Sequence, residues 1–285
     1  MIRLCAFADE ASEMLDGQIR ALKRNNISLI ELRGVNGTNV SGLTEEEAYK
    51  YSGELRREGI AVWSIGSPIG KVDISTDFSE YLKDVKHILR LAKIFGAKRV
   101  RMFSFYGAYE SSAEVMRRLR CMVELAKEEG IKLCHENEKK IYGDTAARVL
   151  EIKEQLPELS LIYDPANFVE VGECADDTLD KLHHLADYFH IKDAISHSLE
   201  IVPAGYGDGK IKELVARIPK GEDKVLTLEP HLKTFTGFSE LDTAALKNKF
   251  TYSDSDEAFD AAVTALKGIL AECGYIETEG GFIKK

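Results

Sequence analysis

Gly130-Ile131-Lys132-Leu133-Cys134-His135-Glu136-Asn137-Glu138 is a helix-stopping glycine, a short apolar run and four consecutive polar groups. Those groups can bind a metal, carry a proton or hydrogen-bond a polar ligand. The apolar run reads as a strand, and the cluster as what that strand delivers at its C-terminal end. Successive side chains of a strand face opposite ways, so His135 and Glu136 cannot both point at one ligand. His135 therefore reads as packing or support, and Glu138 competes with Glu136 for the ligand role only if the strand ends later.

The opening glycine belongs to a series. Asn26, Gly59, Gly96 and Gly130 each close a helix-like stretch, at intervals of 33, 37 and 34 residues. Asn and Gly tolerate the left-handed conformation that follows a helix. An apolar, β-branched run follows each, at 28–32, 60–65, 98–102 and 131–134. Between the runs the periodicity is helical: Leu82, Val85, Leu89 and Ala92 share one face, as do Val115, Leu119, Met122 and Ala126. Thr44-x-x-Glu47 and Ser111-x-x-Glu114 read as capping boxes. Further strands are expected at 159–163, 188–191 and 225–228, and a last amphipathic helix carries Phe259, Ala262, Val263, Leu266 and Leu270. With a first strand at 2–6 the count is eight.

Eight strand–helix units in one chain point to an α/β fold, a single (β/α)8 TIM barrel spanning 1–285. The loop after the eighth strand makes an excursion around 232–254, where Phe235 and Phe238 suggest a lid or an oligomer contact. An open doubly wound sheet is the alternative, but no G-x-G-x-x-G follows the first strand.

Composition narrows the partners. The chain has 285 residues, 44% hydrophobic and 30% charged, with a net charge of −10. That charge repels nucleic acid and anionic membranes, and no basic patch offsets it. No apolar run approaches the roughly 20 residues of a membrane span, and Asp9 and Glu10 interrupt the N-terminal run too early for a signal peptide. Five scattered cysteines without a C-x-x-C pair argue for reduced thiols, a cytoplasmic setting and no cysteine zinc site. A small polar molecule is the expected partner; a homo-oligomer is compatible.

In a barrel of this kind the site forms at the C-terminal strand ends. The fifth to eighth strands finish in Glu136, Asp164, His190 and Glu229, each preceded by apolar strand. Three carboxylates and one imidazole suit a divalent ion such as Mn²⁺, Mg²⁺, Co²⁺ or Zn²⁺. Singly, each has an ordinary explanation: a rim salt bridge for the glutamates, an Asp-Pro turn for Asp164, a core position for His190. The ordered quartet favours ligation.

The motifs Glu136-Asn137, Tyr163-Asp164-Pro165, His190-Ile191-Lys192-Asp193 and Leu228-Glu229-Pro230 resemble the xylose-isomerase-like TIM-barrel superfamily, in particular its sugar isomerase/epimerase branch with the ketose 3-epimerases and hydroxypyruvate isomerases. The loop Pro203-Ala204-Gly205-Tyr206-Gly207-Asp208-Gly209 is similar to the family's loop after the seventh strand. The resemblance implies one divalent metal, Mn²⁺ first, on Glu136, Asp164, His190 and Glu229. It also implies a sugar substrate, with Glu136 and Glu229 as acid and base through an enediolate. A position that is often His in the family is Asn167 here. Arg33, Asn167, Lys192 and His231 are the candidate substrate contacts. The ordinary readings are an Arg33–Glu31 pair, a Lys192–Asp193 bridge and a rim position for His231. Trp63, Phe103, Phe105 and Tyr106 could wall a sugar or simply pack, and His183-His184 is expected at the surface. A metal-dependent lyase or dehydratase on a keto-sugar or 3-keto-glycoside is the alternative function. An AP-endonuclease-type nuclease or a non-catalytic sugar-binding protein ranks lower.

Overall fold

In the computed structural model, which describes residues 1–233 and 250–285, eight parallel strands close into a ring. They are β1 (Ile2–Ala6), β2 (Leu29–Leu32), β3 (Ala61–Ile69), β4 (Arg99–Met102), β5 (Lys132–Glu136), β6 (Ser160–Tyr163), β7 (Ala186–Ile191) and β8 (Lys224–Leu228). Each pairs with its neighbours in chain order, and β8 returns to β1 in register from Ile2 opposite Lys224 to Ala6 opposite Leu228. Closure leaves the ring without an edge. Around it lie α1 (Leu15–Arg24), α2 (Glu45–Arg57), α3 (Phe78–Phe95), α4 (Ser112–Glu128), α5 (Ala146–Gln155), α6 (Pro165–Glu170), α7 (Ala175–Leu182), α8 (Ile211–Ala216) and α9 (Ser255–Glu272). The expected closed barrel is the fold, and the open sheet is not.

The recurring punctuation has the expected cause. Asn26, Gly59, Gly96 and Gly130 have φ of 56°, 76°, 73° and 69°, the left-handed turn that ends a helix and aims the chain at the next strand. Thr44 and Glu47 form a complete capping box on α2. Ser111 precedes α4 as expected, but its side chain caps nothing. Glu114 bonds Arg117 and Arg118 instead, because two guanidiniums one turn ahead hold its carboxylate away from the helix start.

Strand alternation sorts the core into two. Outward residues such as Leu4, Ile30, Val100, Leu133, Leu161, Phe189 and Leu226 pack against the helices. Inward residues Cys5, Leu29, Cys134, Ile162, Tyr188 and Val225 fill the barrel as a separate cluster. Trp63 packs beneath them, with the guanidinium carbons of Arg99 and Arg3 at 3.9 and 5.3 Å from its ring. Trp63 thus closes the N-terminal end of the barrel, far from the strand ends that carry chemistry.

Two features differ from expectation. A C-terminal hairpin, β9 (Tyr275–Thr278) and β10 (Gly281–Lys284), joins β1 where Ile2 faces Phe282. Its strands are four residues each, too short for a periodic signal. Gly281 has φ of 143°, and a Cβ there would meet the Ile2 carbonyl oxygen at 2.4 Å, so the close approach requires glycine. His184 is exposed as expected, but His183 is buried: its ring lies 5.0 Å from that of Phe189 and its Nε2 donates to the Leu214 carbonyl at 3.0 Å. The part of the 232–254 excursion between 234 and 249, with Phe235 and Phe238, lies outside the described residues. Among the described residues no helix is long and apolar enough to cross a membrane. All five cysteines are free.

Burial pulls His183 below its ordinary value. An unfolded histidine titrates near about 6.5, so below that pH the unfolded chain takes up a proton that folded His183 resists. Stability contributed here is therefore lost as pH falls through the unfolded value. In metal-free protein, the drop in urea midpoint from about pH 7.5 to about pH 5.5 should be smaller in His183→Gln than in the parent. Equal drops would remove His183 from the pH response.

Candidate metal centre

Above the apolar tier the inward positions turn polar. On β5, β6, β7 and β8 the same parity that faces Cys134, Ile162, Tyr188 and Val225 inward brings in Glu136, Asp164, His190 and Glu229. One ligand atom from each of the four lies within 4.8 Å of the others, and all four residues are buried. His190 Nδ1 is 2.8 Å from Glu136 Oε1 and 3.1 Å from Glu229 Oε2.

Local structure holds each group. Asp164 caps α6 by accepting from the Asn167 backbone N–H at 3.1 Å, with Pro165 at the first helical position. The Asp-Pro turn and the site therefore use different oxygens of one carboxylate: Oδ1 caps, while Oδ2 faces Lys192 Nζ at 3.2 Å. Asn137 clamps β5 to β6. Its Oδ1 accepts from the Asp164 N–H at 2.9 Å and its Nδ2 donates to the Asp164 carbonyl at 2.8 Å. Asn167 donates to the Asn137 carbonyl at 2.8 Å and accepts from Lys192 Nζ at 2.7 Å. His135 points away from the site, 3.0 Å from Ser104 Oγ. Glu138 pairs with Lys71 at 2.8 Å and is no member of the quartet.

Two expected pairings are not the ones formed. Glu31 and Arg33 both face inward, but one tier apart. Glu31 meets Tyr188 and His190, while Arg33 bridges Asp9 (2.8 Å), Glu10 (3.1 Å) and Glu229 (2.9 Å). Lys192 and Asp193 are consecutive and so face opposite ways. Lys192 Nζ lies 3.2 Å from Asp164 Oδ2. The Asp193 carboxylate instead accepts the backbone N–H groups of Gly205, Gly207 and Gly209 at 2.8, 3.0 and 2.9 Å, pinning the glycine loop.

Arg101 was not among the candidates. It projects inward from β4, is 2% exposed, and has its guanidinium carbon 4.9 Å from the Phe7 ring and 5.1 Å from that of Phe103. Its Nη1 lies 3.2 Å from Glu136 and 3.4 Å from Glu229, its Nη2 3.3 Å from the Gly66 carbonyl, and its Nε has no partner. The signal was the alternation Arg99-Val100-Arg101-Met102, which puts two arginines on the inner face of a barrel strand.

A second acidic group, Glu10, Glu229 and His231, also converges, but the Arg33 guanidinium already bonds both of its glutamates. His231 sits on a strained backbone with φ of 46°, its N–H donating to Glu10 at 2.7 Å. Its ring Nε2 is 3.5 Å from Glu10 and 3.6 Å from Glu229.

Charge decides what the centre can hold. Asp9, Glu10, Glu31, Glu136, Asp164 and Glu229 are buried, against Arg33, Arg101 and Lys192. Burial pushes Glu10 up to about 8 against the pull of Arg33, and Asp164 up to about 7 against that of Lys192. Burial also opposes ionisation of Glu229, but His190 and then His231 outweigh it and hold that carboxyl well below its usual range. For His190, burial is outweighed by Glu136 and Glu31, which raise it well above the ordinary imidazole. Burial takes His231 down to about 4. The excess of buried acid and the imidazole among three carboxylates fit a divalent cation.

The xylose isomerase-like TIM barrel family model matches residues 19–249. The chain belongs to this family. No curated protein matches the sequence. Among solved structures, the xylose isomerase-like barrel resembles a probable 3-DHS dehydratase, AsbF, from Bacillus anthracis (16% identity, 94% of this chain and 99% of that one, TM-score 0.71). It resembles the IOLI protein, solved with a binding zinc atom (14%, 95% and 98%, TM-score 0.70). It also resembles D-psicose 3-epimerase, solved in the presence of D-fructose (16%, 94% and 98%, TM-score 0.69). At these identities the likeness is one of fold.

Two outcomes test this geometry. A Cβ on Gly66 would meet Phe7 Cε1 at 2.5 Å and Arg33 Cβ at 3.2 Å. Gly66→Ala should therefore cost about 1–3 kcal/mol in urea unfolding, and loosen both arginines. Unchanged stability would show that Phe7 yields freely. A divalent ion at about a thousand times its dissociation constant should stabilise the parent by about 4 kcal/mol. Asp164→Asn should lose most of that gain, and a thermal shift as large as the parent's would remove Asp164 from the centre.

Proposed function

We propose that this barrel is a divalent-metal-dependent sugar isomerase or epimerase acting on a ketose or keto-sugar through an enediolate. Glu136 and Glu229 serve as acid and base. The observation that carries this reading is their convergence: from β5 and β8, they approach the same imidazole nitrogen, at 2.8 and 3.1 Å. Glu136, Asp164, His190 and Glu229 would hold one ion, Mn²⁺ by preference, with Zn²⁺, Mg²⁺ or Co²⁺ also suited to the donor set. When bound, the ion supplies Lewis acidity that makes the C–H beside a carbonyl acidic.

The side chains do the rest. Glu229, on one side of the point where the two carboxylates meet, takes the proton. Glu136, across the same point and carrying a proton when Glu229 does not, gives that proton back, and exchange with solvent resets the pair. Return to the opposite face of the same carbon inverts a centre, and return to the neighbouring carbon isomerises. Arg101, with Nε unpartnered and Nη1 beside both glutamates, donates to the substrate oxygen that gains charge. Lys192 and His231 contact substrate oxygens at the rim. Arg33 and Asn167 reach substrate only by sharing groups already bonded to Asp9, Glu10, Asn137 and Lys192. The free thiols suit a cytoplasmic enzyme.

A lyase or dehydratase on a keto-sugar or 3-keto-glycoside would use the same enolisation. What favours it is Lys192, a buried ammonium kept charged beside Asp164, able to protonate a leaving oxygen. The net charge of −10 argues against a nuclease, and a binding protein has no need of paired buried glutamates.

The test is exchange of substrate hydrogen with solvent deuterium across a panel of ketoses in the metal-loaded protein. The parent should exchange, and Glu229→Gln should exchange about 10²–10⁴-fold more slowly. A Glu229→Gln variant that keeps both its metal and full exchange rules out the two-glutamate scheme. Loss of water or an alcohol from the substrate identifies the lyase.

A further inference from the structure

Below the quartet, inside the barrel, lies a carboxylate that the proposed reaction does not use. Glu31 projects inward from β2 at the irregular step where its pairing with β3 shifts register, and it is fully buried. Its Oε2 is 3.2 Å from His190 Nε2, and its Oε1 accepts from the Tyr188 hydroxyl at 2.9 Å. That hydroxyl also lies 3.2 Å from Ser64 Oγ. The two nitrogens of His190 therefore face different worlds. Nδ1 looks up at Glu136 and Glu229, and Nε2 looks down at Glu31.

We infer that Glu31 is a positioning residue for the metal centre: it keeps the His190 proton on Nε2 when an ion takes the place of the proton on Nδ1, which faces Glu136 and Glu229. The inference rests on the metal-site part of the reading above. A neutral imidazole has one N–H and one lone pair, and the partner of one nitrogen sets the role of the other. A carboxylate accepts and never donates when ionised, so Glu31 stabilises only the form protonated at Nε2. The Tyr188 hydroxyl holds the other Glu31 oxygen, so the carboxylate cannot swing toward the ion pocket. Phe7 and Tyr188 fix the imidazole plane edge-on, with ring centroids 5.2 and 5.6 Å from that of His190. Carboxylate support of this kind strengthens a histidine ligand, and its loss costs about 10–100-fold in metal affinity.

Glu31→Gln keeps the volume and removes the charge. Its amide can turn an N–H toward His190 Nε2, which then must accept, and the proton moves to Nδ1, where it blocks ligation. Competition dialysis of Mn²⁺ and Zn²⁺ should show a dissociation constant raised about 10–100-fold. The variant should still unfold cooperatively in urea without metal, so that the loss of affinity is read on folded protein. A purely structural Glu31 leaves the affinity of the folded variant unchanged, and that result overturns the inference. Nitrogen-15 spectra of the zinc-loaded parent should show the Nε2–H form of His190. An Nδ1–H form also overturns it. Tyr188→Phe, which leaves Glu31 in place but frees one oxygen, should weaken metal binding less than Glu31→Gln, and it serves if the first variant does not fold. A parent that takes up neither ion brings down the metal-site reading and this inference together. A parent that binds as tightly as Glu31→Gln brings down the inference alone.

Discussion

His190 lies between opposed demands: one ring nitrogen faces two carboxylates and the other a third, in a barrel interior that excludes water. Burying like charges together is tolerated only where cations or hydrogen-bond donors answer each of them. Much of the barrel mouth is built to do so. Arg33 takes Asp9, Glu10 and one oxygen of Glu229, Arg101 reaches across to Glu136, and Lys192 stands beside Asp164. Phe7 lets two guanidiniums share a confined space, their carbons 4.4 and 4.9 Å from its ring, where its π-face favours cations. What these groups leave over is negative charge among the four ligand atoms.

The scaffold converts that local requirement into a fixed geometry. Parallel closure aligns the strands so that inward positions stack in tiers, and the tier above Tyr188 and Ile162 is the polar one. Side-chain hydrogen bonds to backbone groups tie the strand ends together. Asn137 ties two strand ends reciprocally, and Asp193 gathers three glycine N–H groups from one loop. A Cβ on Gly207 would meet Asp193 Oδ1 at 2.3 Å and the Ala194 carbonyl oxygen at 2.6 Å, which is why this loop is glycine where it turns over the aspartate.

The fold was legible because its punctuation is local. A left-handed residue after each helix and an apolar run after that are written in adjacent residues, and the family match agrees with them. The convergence of Glu136, Asp164, His190 and Glu229 was legible for a related reason: each ends an apolar run, so parity alone faces it inward. Partners were not legible. Glu31 and Tyr188 are 157 residues apart, and nothing local links them. Arg101 looked like an ordinary charged strand residue because its meaning depends on which face is interior. Lys192 and Asp193 suggested a bridge by adjacency, which strand geometry forbids. The C-terminal hairpin carried no periodic signal, and it joins the barrel ladder at one paired position, Ile2 with Phe282.

The two glutamates are not equivalent, although they meet at one point. Glu229 has Arg33 at 2.9 Å, Arg101 at 3.4 Å and the rings of His190 and His231 at 3.1 and 3.6 Å. Among the described residues Glu136 has Arg101, at 3.2 Å, and His190, at 2.8 Å. A carboxylate ringed by cations and N–H donors stays ionised, so the fold keeps Glu229 charged before any substrate arrives. The strand order explains the difference. β8 neighbours β1, whose continuation carries Phe7, Asp9 and Glu10, and the arginine that answers those acids also reaches Glu229. β5 lies on the far side of the ring, next to β4, and receives only the arginine that β4 supplies. Closure of the barrel thus brings two chemically identical side chains to one place while giving them different surroundings.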